Sequence, residues 1–281
     1  MSLTTEARAF ALAPARSKRS PIWKEALPFT FGVIWLLISF YPILYMFISS
    51  LRTRQDFFQG ANWYPPVHPT LQNYLDVFTN DFGMYFVNSI FVTVLSVVLT
   101  VSISFFAAYA IARMRNRLTR AVFNLFLVGL AVPLQATIIP LYILIVNLHL
   151  YDTLYALILP YAAFSIPLSV LVLVTYLRDI PKELYQAMLL DGAGHGQIFA
   201  RLVLPLSRPA LVTIVIYDAL HVWNGFLFPL VLTQSPEVRV LPLALWSFQG
   251  EYTSNVPAIM AAVFLSVIPI IVLYISGRRY L

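Results

Sequence analysis

Six apolar runs, at residues 26–48, 84–111, 121–146, 154–177, 210–232 and 258–276, constrain this 281-residue chain more than any other feature. Each comes near the ~20 residues a helix needs to cross the hydrocarbon core of a bilayer. Backbone groups find no water there, so runs of this length satisfy them internally, as helices. The period-two alternation of barrel strands is absent. Only 11% of the residues are charged, against about a quarter in a soluble domain. The expected fold is all-α and polytopic, with six transmembrane helices in a lipid bilayer.

Lys and Arg orient these spans. With the N-terminus inside, fifteen of the eighteen cations fall in the inside segments, leaving Arg52, Arg54 and Arg239 outside. The positive-inside rule then puts both termini in the cytoplasm. The cations are scattered over four short segments, so the basic balance reports topology and gives no sign of nucleic-acid binding. Residues 1–25 are expected as a cytoplasmic tail, and residues 26–281 as one six-helix domain with a cytoplasmic loop at 178–209. The first run is too long for a signal-peptide core and has no persuasive cleavage site after it, so it is expected to be retained. There is no cysteine, which removes disulfides and thiol chemistry.

Five of the six spans contain proline, which favours kinks in membrane helices. Span five alone carries ionisable residues well inside it, Asp218 and His221, followed by Trp223 and Asn224. An Asp at a helix centre costs ~3 kcal/mol on the insertion scale, so such residues face a bundle interior or a watery cavity. Lining of a translocation path and a buried pair fixing helix packing are about equally favoured. Asn88, Thr93, Ser96, Thr100, Ser102 and Ser104 scatter along span two, where small hydroxyl residues tighten helix contacts; packing is the favoured role and pore lining the minority one. One Asp and one His are too few for a metal site.

No enzyme motif occurs, whether Gly-x-Ser-x-Gly, His-Glu-x-x-His or a phosphate-binding loop. No catalytic residue is expected, and no cofactor in this chain. If the chain serves ATP-driven transport, another subunit must hydrolyse the ATP.

The loop between spans four and five is polar and helix-prone. Pro181 and Glu183 suit a helix start. Leu184, Ala187 and Met188 then form an apolar stripe two turns long, and Gly192 is placed to end the helix at positive φ. A second short helix is expected over residues 197–204. With no Lys or Arg between Glu183 and Arg201, attraction to lipid is weak, and a groove in a protein partner is favoured.

The order Glu183-Leu184, Ala187, Asp191-Gly192-Ala193, Phe199 and Leu204-Pro205 resembles the EAA loop of ABC importer permeases. Gln186, Ala187 and Met188 stand at its opening positions, with Gln186 replacing the usual glutamate and Met188 the second alanine. The resemblance implies that Glu183, Leu184, Gln186, Ala187, Met188, Asp191, Gly192, Ala193 and Phe199 engage an ATPase subunit that binds ATP and Mg. Trp223-Asn224-x-Phe226-x-x-Pro229-Leu230, then Leu241-Pro242 and Gly250-Glu251-Tyr252, is similar to carbohydrate-uptake permeases of the maltose-importer type. Asn73-Tyr74 and Asn88-Ser89 agree with it.

That second resemblance implies the type I importer architecture in the plasma (inner) membrane of a prokaryote. The partners it implies are a second permease, two ATPase subunits and an extracytoplasmic sugar-binding protein. The substrate would be an oligosaccharide or sugar derivative. Asn88, Asp218, His221, Trp223 and Asn224 would line the path. Glu237, Arg239, Gln249, Glu251 and Tyr252 would meet the binding protein. A secondary transporter, a permease of another ABC importer class and an intramembrane enzyme are the alternatives. The first would need coupling-ion residues in several spans, and the last a nucleophile with a base.

Overall fold

A computed structural model describes residues 22–60, 62–114, 116–245 and 255–280. Among these the chain is helical, without strands. It divides into two units, Met1–Tyr45 and Met46–Leu281. The first unit holds most of helix α1 (Ile22–Ser50), which carries Pro28 and Pro42 inside it. The tail expected over residues 1–25 lies outside the described residues, apart from the opening turn of α1.

The second unit continues through α2 (Arg54–Gln59), α3 (Gln72–Thr79), α4 (Phe82–Arg113), α5 (Arg117–Gly129), α6 (Leu134–Asn147) and α7 (Tyr155–Asp179). Then come α8 (Lys182–Leu190), α9 (His195–Ile198), a π-turn (Phe199–Val203), α10 (Leu204–Leu206) and α11 (Arg208–Trp223). The last helices are α12 (Leu227–Leu232), α13 (Leu241–Ala244) and α14 (Val256–Gly277).

α4, α7 and α11 pack together as the centre of this unit. The hydroxyl residues of α4 do the packing. Ser96, Thr100 and Ser104, four residues apart, are fully buried, and Ser96 Oγ donates to the Ile158 carbonyl of α7 at 3.4 Å. Small side chains at this spacing let two helix backbones approach closely. Ser102 points outward.

Four helices are each long and apolar enough to cross a membrane: Ala26–Ser50, Phe82–Arg113, Tyr155–Asp179 and Val256–Gly277. The number reaches six if each of two bent pairs counts as one span. The third expected run is not one straight helix. It is α5 and α6, meeting at 104°, because Pro133 cannot continue a helix and biases the residue before it away from helical backbone. The fifth run also breaks. α11 ends at Trp223, and α12 begins three residues after Asn224.

Candidate functional site

The loop after α7 is docked onto the ends of the central helices. Tyr185, Ile198 and Val203 are buried in one cluster with Ala108 and Ile111 of α4 and Leu173 and Leu177 of α7. The Arg113 guanidinium lies over the Tyr185 ring. Phe199 sits among Phe105, Phe106 and Tyr109, its ring stacked on Phe106 at 5.3 Å. Phe199 therefore holds the loop to α4 and is itself partly buried.

α8 ends in a Schellman motif. Gly192 stands at φ +77°. Its N–H donates to Leu189 O at 3.0 Å, and the Ala193 N–H donates to Met188 O at 2.9 Å. Met188 and Ala193 are both partly buried in the same cluster, the apolar contact that accompanies this motif. With Tyr185 and Met188 turned inward, α8 leaves Glu183, Leu184, Gln186, Ala187 and Asp191 exposed. The expected stripe is thus split, because Met188 belongs to the inner face. Leu190, at 89% exposure, joins the outer one. Beside it, Leu184 and Pro181 border an open groove of about 320 Å³ shared with Tyr176 and Leu206. Sequence reasoning missed Tyr185 and Leu190. A spacing of three from Ala187 to Leu190 could have revealed the second.

Near the other end of α11 the expected residues separate. Asp218 has no exposed surface, and Ser169 Oγ of α7 donates to its Oδ2 at 3.0 Å. His221 is exposed and stacks parallel to Tyr217 at 6.4 Å. Asp218 is bonded to Ser169 of α7, whereas the His221 ring also meets Tyr161 of α7 edge-on at 6.3 Å, so the two side chains have different partners. Trp223 is buried, and its Nε1 donates to the Ser266 carbonyl of α14 at 3.1 Å. Trp223, Asn224 and Ser266 line an open groove of about 230 Å³.

Residues 233–241 are fastened by side chains from distant segments. Asn88 of α4 donates to the carbonyls of Glu237 and Arg239 at 2.8 and 2.9 Å. The Leu241 N–H donates to Ser89 Oγ at 2.8 Å. Asp152 accepts from the backbone N–H groups of Gln234 and Ser235 at 2.7 and 2.9 Å and from the Ser235 hydroxyl. Asn88 is thereby a fastener of this segment, Glu237 is exposed and Arg239 half-buried. Gln249, Glu251 and Tyr252 lie outside the described residues.

Partial burial pushes the Asp152 carboxyl upward. The bonds from the Ser235 hydroxyl and the two backbone N–H groups outweigh it and hold the carboxyl below its ordinary value. A carboxyl depressed in the folded state contributes stability that is present above its unfolded pKa and lost as pH falls through the folded one. Hydrogen exchange at the Gln234 and Ser235 amides, corrected for intrinsic rates, is expected to stay slow at neutral pH. It should quicken below about pH 4, from the unfolded reference value downward. Asp152→Ala should quicken it several-fold at neutral pH. Unchanged protection in that variant would refute the fastening role.

Among the described residues no three His, Cys, Asp or Glu side chains gather as a metal site. The fold and its surfaces define a helical membrane subunit with a docked loop at one end of its central helices and a side-chain-fastened segment elsewhere. The chain belongs to the family described as the inner membrane component of binding-protein-dependent transport systems, whose model matches residues 100–281. It is therefore a multi-pass inner-membrane protein and a non-catalytic permease subunit of an ABC importer. It is 41% identical over 250 residues to the ABC transporter permease protein ORF2 of Caldicellulosiruptor sp. (strain Rt8B.4), covering 89% of this chain and 91% of that one. It is 30% identical to the diacetylchitobiose uptake permease NgcG of Streptomyces coelicolor, covering 88% and 82%. A crystal structure of a bacterial ABC transporter involved in the import of the acidic polysaccharide alginate matches with a TM-score of 0.80 and 26% identity. That match covers 95% of this chain and 99% of the other.

Proposed function

We propose that this chain forms half of the translocation path of an ATP-driven importer of an oligosaccharide or sugar derivative. The other half is a second permease, and two ATPase subunits that bind ATP and Mg drive the pair. An extracytoplasmic sugar-binding protein delivers the substrate. Both termini and the loop at residues 178–209 are cytoplasmic. The observation that carries this proposal is the docked α8. Its inner face is sealed to the bundle by Tyr185 and Met188 while Leu184, Ala187 and Leu190 stay exposed, as a rigid lever needs. The substrate class is supported by relatives named for diacetylchitobiose and alginate.

On this proposal Glu183, Leu184, Gln186, Ala187, Asp191 and Leu190 meet the ATPase, while Met188, Gly192, Ala193 and Phe199 keep the helix in place. His221, Trp223 and Asn224 border the path, with Asn88 and Asp218 supporting its walls. Glu237 and Arg239, together with Gln249, Glu251 and Tyr252, meet the binding protein. Reconstituted with its partners in proteoliposomes, the complex is expected to accumulate labelled oligosaccharide only when ATP and the binding protein are both present. Accumulation driven by an ion gradient without ATP would establish a secondary transporter instead.

A further inference from the structure

Helical geometry lapses just before α11. Pro205 and Pro209 both stand there. Pro205 has no N–H, and the Leu204 N–H reaches back five residues to Phe199 O, closing the π-turn. Pro209 has none either, so the Pro205 carbonyl loses the partner that a continuous helix would give it. The segment His195–Leu206 and α11 meet at 68°.

One side of this joint is fixed and the other has room. Val203, Ser207 and Ala210 are buried, and Val203 and Ala210 belong to the cluster that seats Tyr185. Leu206 is exposed and lines the open groove of about 320 Å³ shared with Pro181 and Leu184. Pro209 and Thr213 line a second open groove of about 450 Å³. Tyr176 and Asp179 of α7 border both. The Tyr176 ring packs partly buried against the central cluster, and its hydroxyl donates to the Leu206 carbonyl at 2.9 Å. A side-chain bond thus ties α7 to the joint where the two open spaces adjoin.

α11 has 16 residues, so it runs about 24 Å from the joint. A change of about 10° at the joint would carry its far end, with Trp223 and Asn224, through ~4 Å. We propose, on the reading that the ATPase drives α8, that this joint is a hinge carrying the movement of α8 into α11, and that Tyr176 is the positioning residue that sets its angle. Val203, Ser207 and Ala210 form the pivot, and the two grooves are the space into which the joint closes. Tyr176 makes the hinge stiff enough to transmit force.

The chain has no cysteine, so nitroxide labels at Leu190→Cys on α8 and Tyr217→Cys on α11 report the joint. Their separation is measured by double electron–electron resonance in the assembled complex, its partners stripped of cysteine. The wild-type separation is expected to be narrowly distributed and to shift when a non-hydrolysed ATP analogue binds. Tyr176→Phe keeps the ring and removes the hydroxyl. It should broaden the distribution and lower uptake per ATP hydrolysed about threefold, within the two- to tenfold that one net hydrogen bond is worth. Melting temperature and co-purified ATPase should stay at wild-type values. Wild-type width or wild-type uptake per ATP in the phenylalanine variant would overturn the proposal. An unshifted wild-type separation would overturn it too, and so would a lower melting temperature with unchanged width, which would make Tyr176 a packing residue. Uptake driven by an ion gradient without ATP would instead remove the importer reading, and the label widths would still decide whether Tyr176 sets the joint.

Discussion

Gly192→Val is expected to leave the chain in the membrane but strip the importer of coupled transport. At φ +77°, nothing stands within 4 Å of where a Cβ would sit, so the penalty is conformational and not steric. Left-handed backbone costs an L-residue roughly 1–2 kcal/mol, and a β-branched one is the least tolerant of it. The two hydrogen bonds that close α8, from Gly192 to Leu189 and from Ala193 to Met188, depend on that geometry. Releasing them should swing the exposed face of α8 away from the ATPase proposed to meet it. Ala187→Asp should have the same outcome by another route, setting a charge in the apolar outer face without disturbing the turn. Co-purified ATPase and substrate-stimulated ATP hydrolysis should both fall by about tenfold or more, the equivalent of 1.4 kcal/mol. Gly192→Asn, a residue that visits left-handed backbone, should retain most of both. Wild-type values in the valine and aspartate variants would remove this loop from the coupling path.

Gly225→Ala is expected to destabilise the whole complex. A Cβ at Gly225 would lie 1.9 Å from Tyr161 Oη and 2.5 Å from its Cζ. The Tyr161 ring has no room to yield. It is 3% exposed and packed edge-on against Phe228 at 4.9 Å. Forcing extra volume into a packed site costs about 1–3 kcal/mol, and here it falls at the break between α11 and α12. The expected readout is a lower melting temperature and reduced yield of assembled complex. Tyr161→Ala should itself destabilise by leaving a cavity. Combined with Gly225→Ala it should cost less than the sum of the two, since the clash is gone. Strict additivity would show that the glycine is not needed for this close approach.

Much of this was legible in the sequence because it depends on properties local to the chain. Transfer of a long apolar run into lipid adds up along the run, so the spans could be read from composition alone. Gly192 could be read as a helix stop because φ preference belongs to the residue. The loop motif was visible because it occupies consecutive turns. The bend between α5 and α6 was signalled by Pro133, but its size was not.

What only the tertiary structure decided is which neighbour each side chain meets. A stripe of Leu184, Ala187 and Met188 does not say how far α8 is rotated. Burial of Tyr185 against the central helices settles that, turning Met188 in and Leu190 out. Phe199 has its place because Phe105, Phe106 and Tyr109, nearly a hundred residues earlier, surround it. Asp218 and His221 are three residues apart, yet Ser169 of α7 claims one while the other stacks on Tyr217. Asn88 fastens carbonyls about 150 residues away. Helical spacing sets the angle between side chains on one helix, but the rotation of that helix and the groups opposite it come from packing between segments far apart in the chain.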